Sequence, residues 1–179
     1  MRLLAFYAPY PRAGKSLAAE WVARRMAMSH TSFAAPLRVA VSDIIRSPVY
    51  MRDVFSPVDK DGNIPHLGVS WRKIMIAFGN AGRGIAPDFW VRLMERRVKM
   101  RPSDYVIDDL RFWEEYEFLR SKGAKIIRIE NPGREIVTTA TEGRLEGYRF
   151  DAVIANTKEN LRAYLRDVED VARTLFWNE

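Results

Sequence analysis

The chain contains no cysteine, which excludes disulfides and thiolate-held metal centres. Only two histidines are present, His30 and His66, too few for a histidine-rich metal site. No apolar run approaches the length of a membrane span. No charged, apolar and small-residue succession of a secretory leader stands before the first strand-like stretch. The expectation is a cytoplasmic protein with no membrane partner. Internal repeats and low-complexity tracts are absent. No Ser-His-Asp or Cys-His arrangement can be assembled, which turns attention to chemistry done by positioning and charge.

What is present is a chain of 179 residues with 47% hydrophobic content, enough for one globular domain with its own core. The formal net charge is +6. A basic balance suits nucleic acid or small polyanions. The arginines are spread along the chain and not gathered in a tail. That spacing favours several arginines converging on one anionic ligand, and makes nucleic acid the less favoured partner.

Residues 7–16 read Tyr-Ala-Pro-Tyr-Pro-Arg-Ala-Gly-Lys-Ser, behind the apolar run Leu3-Leu4-Ala5-Phe6 and before a helical pattern. Strand, loop and helix in this order form a phosphate-gripping turn. Gly14 lets the backbone approach closely. Lys15 brings a point charge, and the Ser16 hydroxyl can complete the coordination of Mg²⁺. The amides of Ala13, Gly14, Lys15 and Ser16 would face phosphates at the positive end of the helix. The common pattern G-x-x-x-x-G-K-[ST] has its first glycine where Pro9 stands, and Pro11 is a second proline in the turn. Both precede the amides that do most of the cradling.

Apolar positions at Leu17, Ala18, Trp21, Val22 and Met26 predict a helix over 16–28, followed by a short strand at 30–33 and a helix over 37–46. Residues 47–69 hold Pro48, Pro57, Pro65, Gly62 and Gly68 and read as a long irregular excursion. Ser70 predicts a helix cap, with the helix ended by Gly79, and Pro87 opens the next helix. Tyr105-Val106-Ile107 predicts a strand that ends in Asp108-Asp109. A helix over 112–122 closed by Gly123, a strand over 124–130, a polar segment over 131–149, a strand over 152–155 and a helix over 158–176 complete the pattern. Strands alternating with helices imply an α/β fold with a parallel sheet covered on both faces. Ligands of such sheets sit at the carboxyl ends of the strands, where the Gly14 turn and Asp108-Asp109 both fall.

A carboxylate at that edge can hold Mg²⁺ beside the loop serine, or else cap a helix. Arg111 can clamp a phosphate or pair with Glu114 or Glu115. Arg38, Arg72 and Arg83 belong to the stretch between the second and third core strands, and the planar guanidinium suits phosphate. Arg128, Arg134, Arg144 and Arg149 flank or lie in the polar segment, which can close over phosphates as a lid or be an ordinary surface loop. Trp71 and Trp90 fit a core, and either can instead line a base pocket.

With these residues in view the chain resembles the deoxynucleoside monophosphate kinases, a family common among bacteriophages and related to adenylate kinase. The resemblance rests on Arg12-Ala13-Gly14-Lys15-Ser16 and on Phe33-Ala34-Ala35-Pro36-Leu37-Arg38. It extends to Trp71-Arg72-Lys73-Ile74, Phe78-Gly79, Gly82-Arg83 and Trp90-Val91-Arg92. Val106 through Phe112, with Asp109 on the family aspartate, and Asp151 through Asn156 complete it. Ile76 and Asn80 depart from the residues expected there, glutamine and threonine.

The resemblance implies a P-loop three-layer α/β/α kinase with a parallel five-stranded sheet. Its core would be 1–36 and 101–179, its monophosphate-binding insertion about 37–100 and its lid about 131–149. It implies transfer of the ATP γ-phosphoryl group to a deoxynucleoside monophosphate, with Mg²⁺. Arg12, Ala13, Gly14, Lys15, Ser16 and Leu17 would hold ATP. Ser16 and Asp109 would serve the metal. Arg38, Arg72, Arg83, Trp90, Asp109 and Arg111 would hold the acceptor, and Lys15, Arg111 and Arg134 would act on the transferring group. A homodimer is compatible with this reading. Two alternatives stay open: a kinase for another small metabolite such as dephospho-coenzyme A, and a basic nucleic-acid-binding protein with a vestigial loop.

Overall fold

The computed structural model describes residues 1–45, 62–64, 66–136, 143–157 and 159–177. In chain order the described elements are β1 (Leu3–Tyr7), α1 (Lys15–Arg25), β2 (Ser29–Thr31), α2 (Ala35–Ile45), β3 (Asn63–Ile64), β4 (Val69–Ser70), α3 (Trp71–Ile85), α4 (Phe89–Met100), β5 (Tyr105–Leu110), α5 (Trp113–Ser121), β6 (Lys125–Glu130), β7 (Ala152–Ala155) and α6 (Leu161–Trp177). They form two compact units, one of residues 1–32 and 98–179, the other of residues 33–97. Among the described residues no helix is long and apolar enough to cross a membrane.

The first unit is built on a five-stranded sheet of order β2-β5-β1-β6-β7, with each pairing parallel. Alternation along β1 divides its side chains between the two faces. Leu4 and Phe6 join Val22 of α1, Val168 of α6, Val106 and Ile129 in one buried cluster. Glu169 of α6 ties the two helices on this face. It accepts from Trp21 Nε1 at 3.0 Å and Arg25 Nε at 3.0 Å, and pairs with Arg173 at 2.9 Å. On the other face Tyr7 stacks on Phe150 with centroids 5.1 Å apart, and Tyr116 of α5 meets Phe150 at 6.4 Å.

The chain leaves β1 across β5 to reach β2, and leaves β5 across β1 to reach β6. The two connections run in opposite senses. Adjacent strands related in this way open a crevice at their carboxyl ends. The sheet order thus sets the end of β1 beside the end of β5, where Tyr7 pairs with Leu110.

In the second unit Leu37, Val41 and Ile45 of α2 pack with Ile64 and Trp71, and Ile74, Met75 and Trp90 border them. Residues 63–64 and 69–70 pair as an antiparallel hairpin, so part of the predicted excursion is ordered; residues 46–61 and 65 lie outside the described residues. Ser70 caps α3 by accepting from Lys73 N at 3.3 Å.

Gly79 does not end that helix, which runs on to Ile85. The reason is packing. Trp90 Nε1 donates to Gly79 O at 2.9 Å, and a Cβ at Gly82 would lie 2.6 Å from Trp90 Cζ2. Gly82 makes room for the indole, and the helix tolerates both glycines at a propensity cost of about 1 kcal/mol each. A second departure concerns β5, which continues through Asp108 and Asp109 to Leu110.

Candidate active site

The turn after β1 is shaped by two residues with left-handed backbone, Arg12 at φ 58° and Gly14 at φ 101°. Gly14 then stands at the start of α1, and Ala18 N donates to its carbonyl at 3.0 Å. The left-handed glycine fixes the start of the helix that follows at Lys15.

Lys15 is buried, and its ammonium donates to Ala8 O at 3.5 Å and Tyr10 O at 3.4 Å. A lysine is rarely buried unless its charge is satisfied. Here the turn folds back on its own lysine. This also explains why Pro9 and Pro11 are tolerated. The residues around them contribute carbonyl oxygens, which proline leaves intact, and their own missing N–H groups are not used.

The turn is braced from behind. Asn156, just past β7, donates from Nδ2 to Ala13 O at 2.9 Å. Tyr164 of α6 donates to Gly14 O at 3.2 Å. Asn131, just past β6, donates from Nδ2 to Asn156 O at 2.6 Å, and its backbone N–H donates to Tyr10 Oη. Arg134 donates to Pro11 O at 3.1 Å and lies 5.1 Å over the Tyr10 ring. Of the predicted nucleotide residues, Ala13 and Lys15 are buried, while Arg12, Ser16 and Leu17 are exposed.

At the end of β5 the register with β1 slips by one residue between Ala5 and Tyr7. Asp108 and Asp109 therefore stand together opposite Phe6, as in a β-bulge, a feature that re-aims side chains beside active sites. Asp108 is buried, and its Oδ2 lies 3.5 Å from His30 Nε2 on β2. The charge of Asp109 acts on Glu115. That carboxyl accepts from the backbone N–H of Arg111 at 2.8 Å and of Phe112 at 3.2 Å, closing the start of α5. Burial, reinforced by the Asp109 charge, pushes the Glu115 carboxyl up to about 8, against the pull of those two amides and of Arg111. Glu115 thus meets Arg111 through the backbone amide.

The polar segment after β6 is divided. Residues 131–136 hold Arg134 against the turn, and residues 137–142 lie outside the described residues. Residues 143–150 are docked on the sheet. Glu146 forms two hydrogen bonds with Arg128, at 2.9 and 3.0 Å, and accepts from Tyr7 Oη at 3.0 Å. Arg128 also pairs with Glu130 at 2.7 Å, so its guanidinium anchors this segment. Arg144 lies 5.9 Å over the Phe112 ring, and the Arg149 carbonyl accepts from Tyr116 Oη at 2.7 Å.

Arg38, Arg72, Arg83 and Trp90 belong to the second unit. Arg72 is exposed, Arg38 and Arg83 are half-buried, and Arg83 Nη2 donates to Asn80 Oδ1 at 2.8 Å. Trp90 is engaged in the packing of α3 through its indole N–H. The structure therefore gathers Lys15, Ser16 and Arg134 around one turn, with Asp108, Asp109 and Arg111 on the neighbouring strand end.

His30, Tyr10, Asn131 and Tyr164 carry no motif signal. Asn131 and Asn156 each stand as a polar residue just past a core strand, and Asn156 also closes the Asp151–Asn156 segment.

Among the described residues no three His, Cys, Asp or Glu side chains converge as a metal cage. The oxygen donors present, a serine hydroxyl in the first helical turn and carboxylates on the adjacent strand, fit Mg²⁺ nonetheless. That ion takes one or two protein oxygens and completes its shell with phosphate and water.

No family model matches this chain, and no curated protein does. Among solved structures it is similar to dephospho-CoA kinase from Campylobacter jejuni, at 13% identity over 98% of each chain with a TM-score of 0.50. Gluconokinase from Sinorhizobium meliloti 1021 aligns at 11% identity over 99% of this chain and 94% of its own, TM-score 0.49. Shikimate kinase from Bacteroides thetaiotaomicron aligns at 10% identity over 97% of each, TM-score 0.45. The likeness is one of fold: a parallel five-stranded sheet flanked by helices.

Proposed function

We propose that this protein is an ATP-dependent phosphotransferase that phosphorylates a deoxynucleoside 5′-monophosphate, giving ADP and the diphosphate. One observation carries the reading: Lys15 is held at the mouth of a left-handed glycine turn, at the strand crevice where the carboxylates of β5 also end. A loop of backbone amides with one lysine is built for a polyphosphate. In this reading Arg12, Ala13, Gly14, Lys15, Ser16 and Leu17 hold the ATP phosphates. Ser16 and Asp109 hold Mg²⁺, which when bound offsets charge on the outer phosphates. Lys15, Arg111 and Arg134 stabilise the charge that develops on the transferring group. Arg38, Arg72, Arg83, Trp90, Asp109 and Arg111 take the acceptor.

The monophosphate acceptor is supported by the ordered set of short segments along the chain that resemble the deoxynucleoside monophosphate kinases. A coupled ADP-release assay with ATP, Mg²⁺ and each of the four dNMPs tests it. The expected result is turnover with at least one of them and none in Lys15→Ala. Turnover only with gluconate, shikimate or dephospho-coenzyme A would keep the phosphotransferase and replace its acceptor. Salt-sensitive oligonucleotide binding without any ATP turnover would replace the enzyme reading itself.

A further inference from the structure

The turn that begins α1 is held by two side chains more than 140 residues away in sequence. Asn156 Nδ2 donates to Ala13 O at 2.9 Å, and Tyr164 Oη donates to Gly14 O at 3.2 Å. These are consecutive peptide units. In a trans peptide the C=O and N–H of one unit point in opposite directions. Holding the Ala13 carbonyl backwards therefore aims the Gly14 N–H forwards. The Gly14 carbonyl, which also accepts from Ala18 N–H at 3.0 Å, is held by Tyr164 in the same way, and this does the same for the Lys15 N–H. We infer that Asn156 and Tyr164 are positioning residues of the phosphate-binding turn, each fixing the direction of one amide that would meet the anionic ligand. The inference deepens the proposed phosphotransferase and rests on it.

Three further facts support this. Asn156 is itself held in place, since its carbonyl accepts from Asn131 Nδ2 at 2.6 Å and its N–H donates to Glu130 O at 2.7 Å. Both side chains pack against Gly14, where a Cβ would come 2.6 Å from Asn156 Nδ2 and 3.1 Å from Tyr164 Oη. Burial pushes the Tyr164 phenol far above its ordinary range, so the hydroxyl stays a donor throughout the working pH range. A turn with two left-handed residues has several backbone arrangements open to it. Fixing the two carbonyls in advance lowers the ordering cost when phosphate binds.

The test uses the full chain and inorganic tripolyphosphate as the probe. Affinity is measured by calorimetry, and the Gly14 and Lys15 amides are followed in ¹H–¹⁵N spectra. Tyr164→Phe removes one hydroxyl and keeps the ring in its packing. Asn156→Ala removes the other donor. About fivefold weaker binding is expected for each, the weight of one neutral hydrogen bond.

The spectra separate positioning from general loosening. In Tyr164→Phe the ligand-induced shift should shrink chiefly at Lys15, and in Asn156→Ala chiefly at Gly14. Wild-type affinity in both variants would overturn the inference. Loss of both shifts alike in either variant, with a lowered melting temperature, would overturn it too. Lys15→Ala is the separate control. If wild-type protein fails to bind tripolyphosphate, or Lys15→Ala binds it as well as wild type, the phosphate-turn reading falls and the inference with it.

Discussion

Asn156 leaves no room for a side chain at Gly14: a Cβ there would stand 2.6 Å from the Asn156 amide nitrogen, on a backbone at φ 101°. The contact joins the end of the last core strand to the start of the first helix. It makes the glycine turn a tertiary object, held by residues from the far end of the chain.

Gly14→Ala should therefore act in two ways. The left-handed backbone costs an L-residue about 1–3 kcal/mol, and the Asn156 side chain must move. We expect a thermal melt lowered by several degrees and ATP binding weakened at least tenfold by calorimetry. A variant that melts and binds as wild type would show that the turn adopts another backbone.

Lys15→Ala should remove turnover while leaving the fold in place. Its ammonium is the buried charge of the turn, drawn to the Ala8 and Tyr10 carbonyls. Loss of one preorganised electrostatic contact to a transition state costs about 10²–10³ in rate. ADP release measured beside a circular dichroism spectrum checks both halves of the expectation.

Stability should fall as pH rises through the neutral range, because of Glu115. Its folded carboxyl is pushed up to about 8 from an ordinary 4.5 by burial and by Asp109. Between these values the native state binds the extra proton, so raising pH costs stability over that window. Melting temperatures from pH 5 to pH 8.5 should decline, and the decline should flatten in Glu115→Gln. That variant keeps an acceptor for the Arg111 and Phe112 amides.

The two neighbouring aspartates should separate in a magnesium titration. Asp109→Asn is expected to raise the Mg²⁺ concentration needed for half-maximal ADP release by about tenfold, in the range found for residues that hold or orient a metal. Asp108→Asn, buried beside His30, is expected to lower the melting temperature more than it shifts the magnesium response. Identical magnesium curves for Asp109→Asn and wild type would remove Asp109 from the metal site.

Gly82→Ala should overpack the second unit. Its Cβ would lie 2.6 Å from Trp90 Cζ2, and overpacking of this kind costs about 1–3 kcal/mol. Trp90→Phe in the same chain should return part of the loss, read as a double-mutant cycle in denaturant unfolding.

Local signals in the sequence were enough for the alternation of strands and helices, for the glycine turn behind an apolar strand, and for aspartates at a strand end. Each of these is decided by residues a few positions apart. Gly79 misled for the same reason: within its own segment a glycine reads as a stop, whereas the helix runs through it to Ile85, with the Gly79 carbonyl accepting from the Trp90 indole and Gly82 giving the indole room. Two consecutive aspartates read locally as a turn that ends β5, whereas pairing with β1 carries the strand through them as a bulge.

The order of side chains along the chain determined the class of fold and the type of turn, since period, proline and glycine act over one or two helical turns. Only the tertiary structure decided which peptide carbonyls Asn156 and Tyr164 would hold, and which carboxyl would be buried beside Asp109. Those outcomes depend on sheet order and register, which set strands from distant parts of the chain side by side. No local pattern encodes that distance.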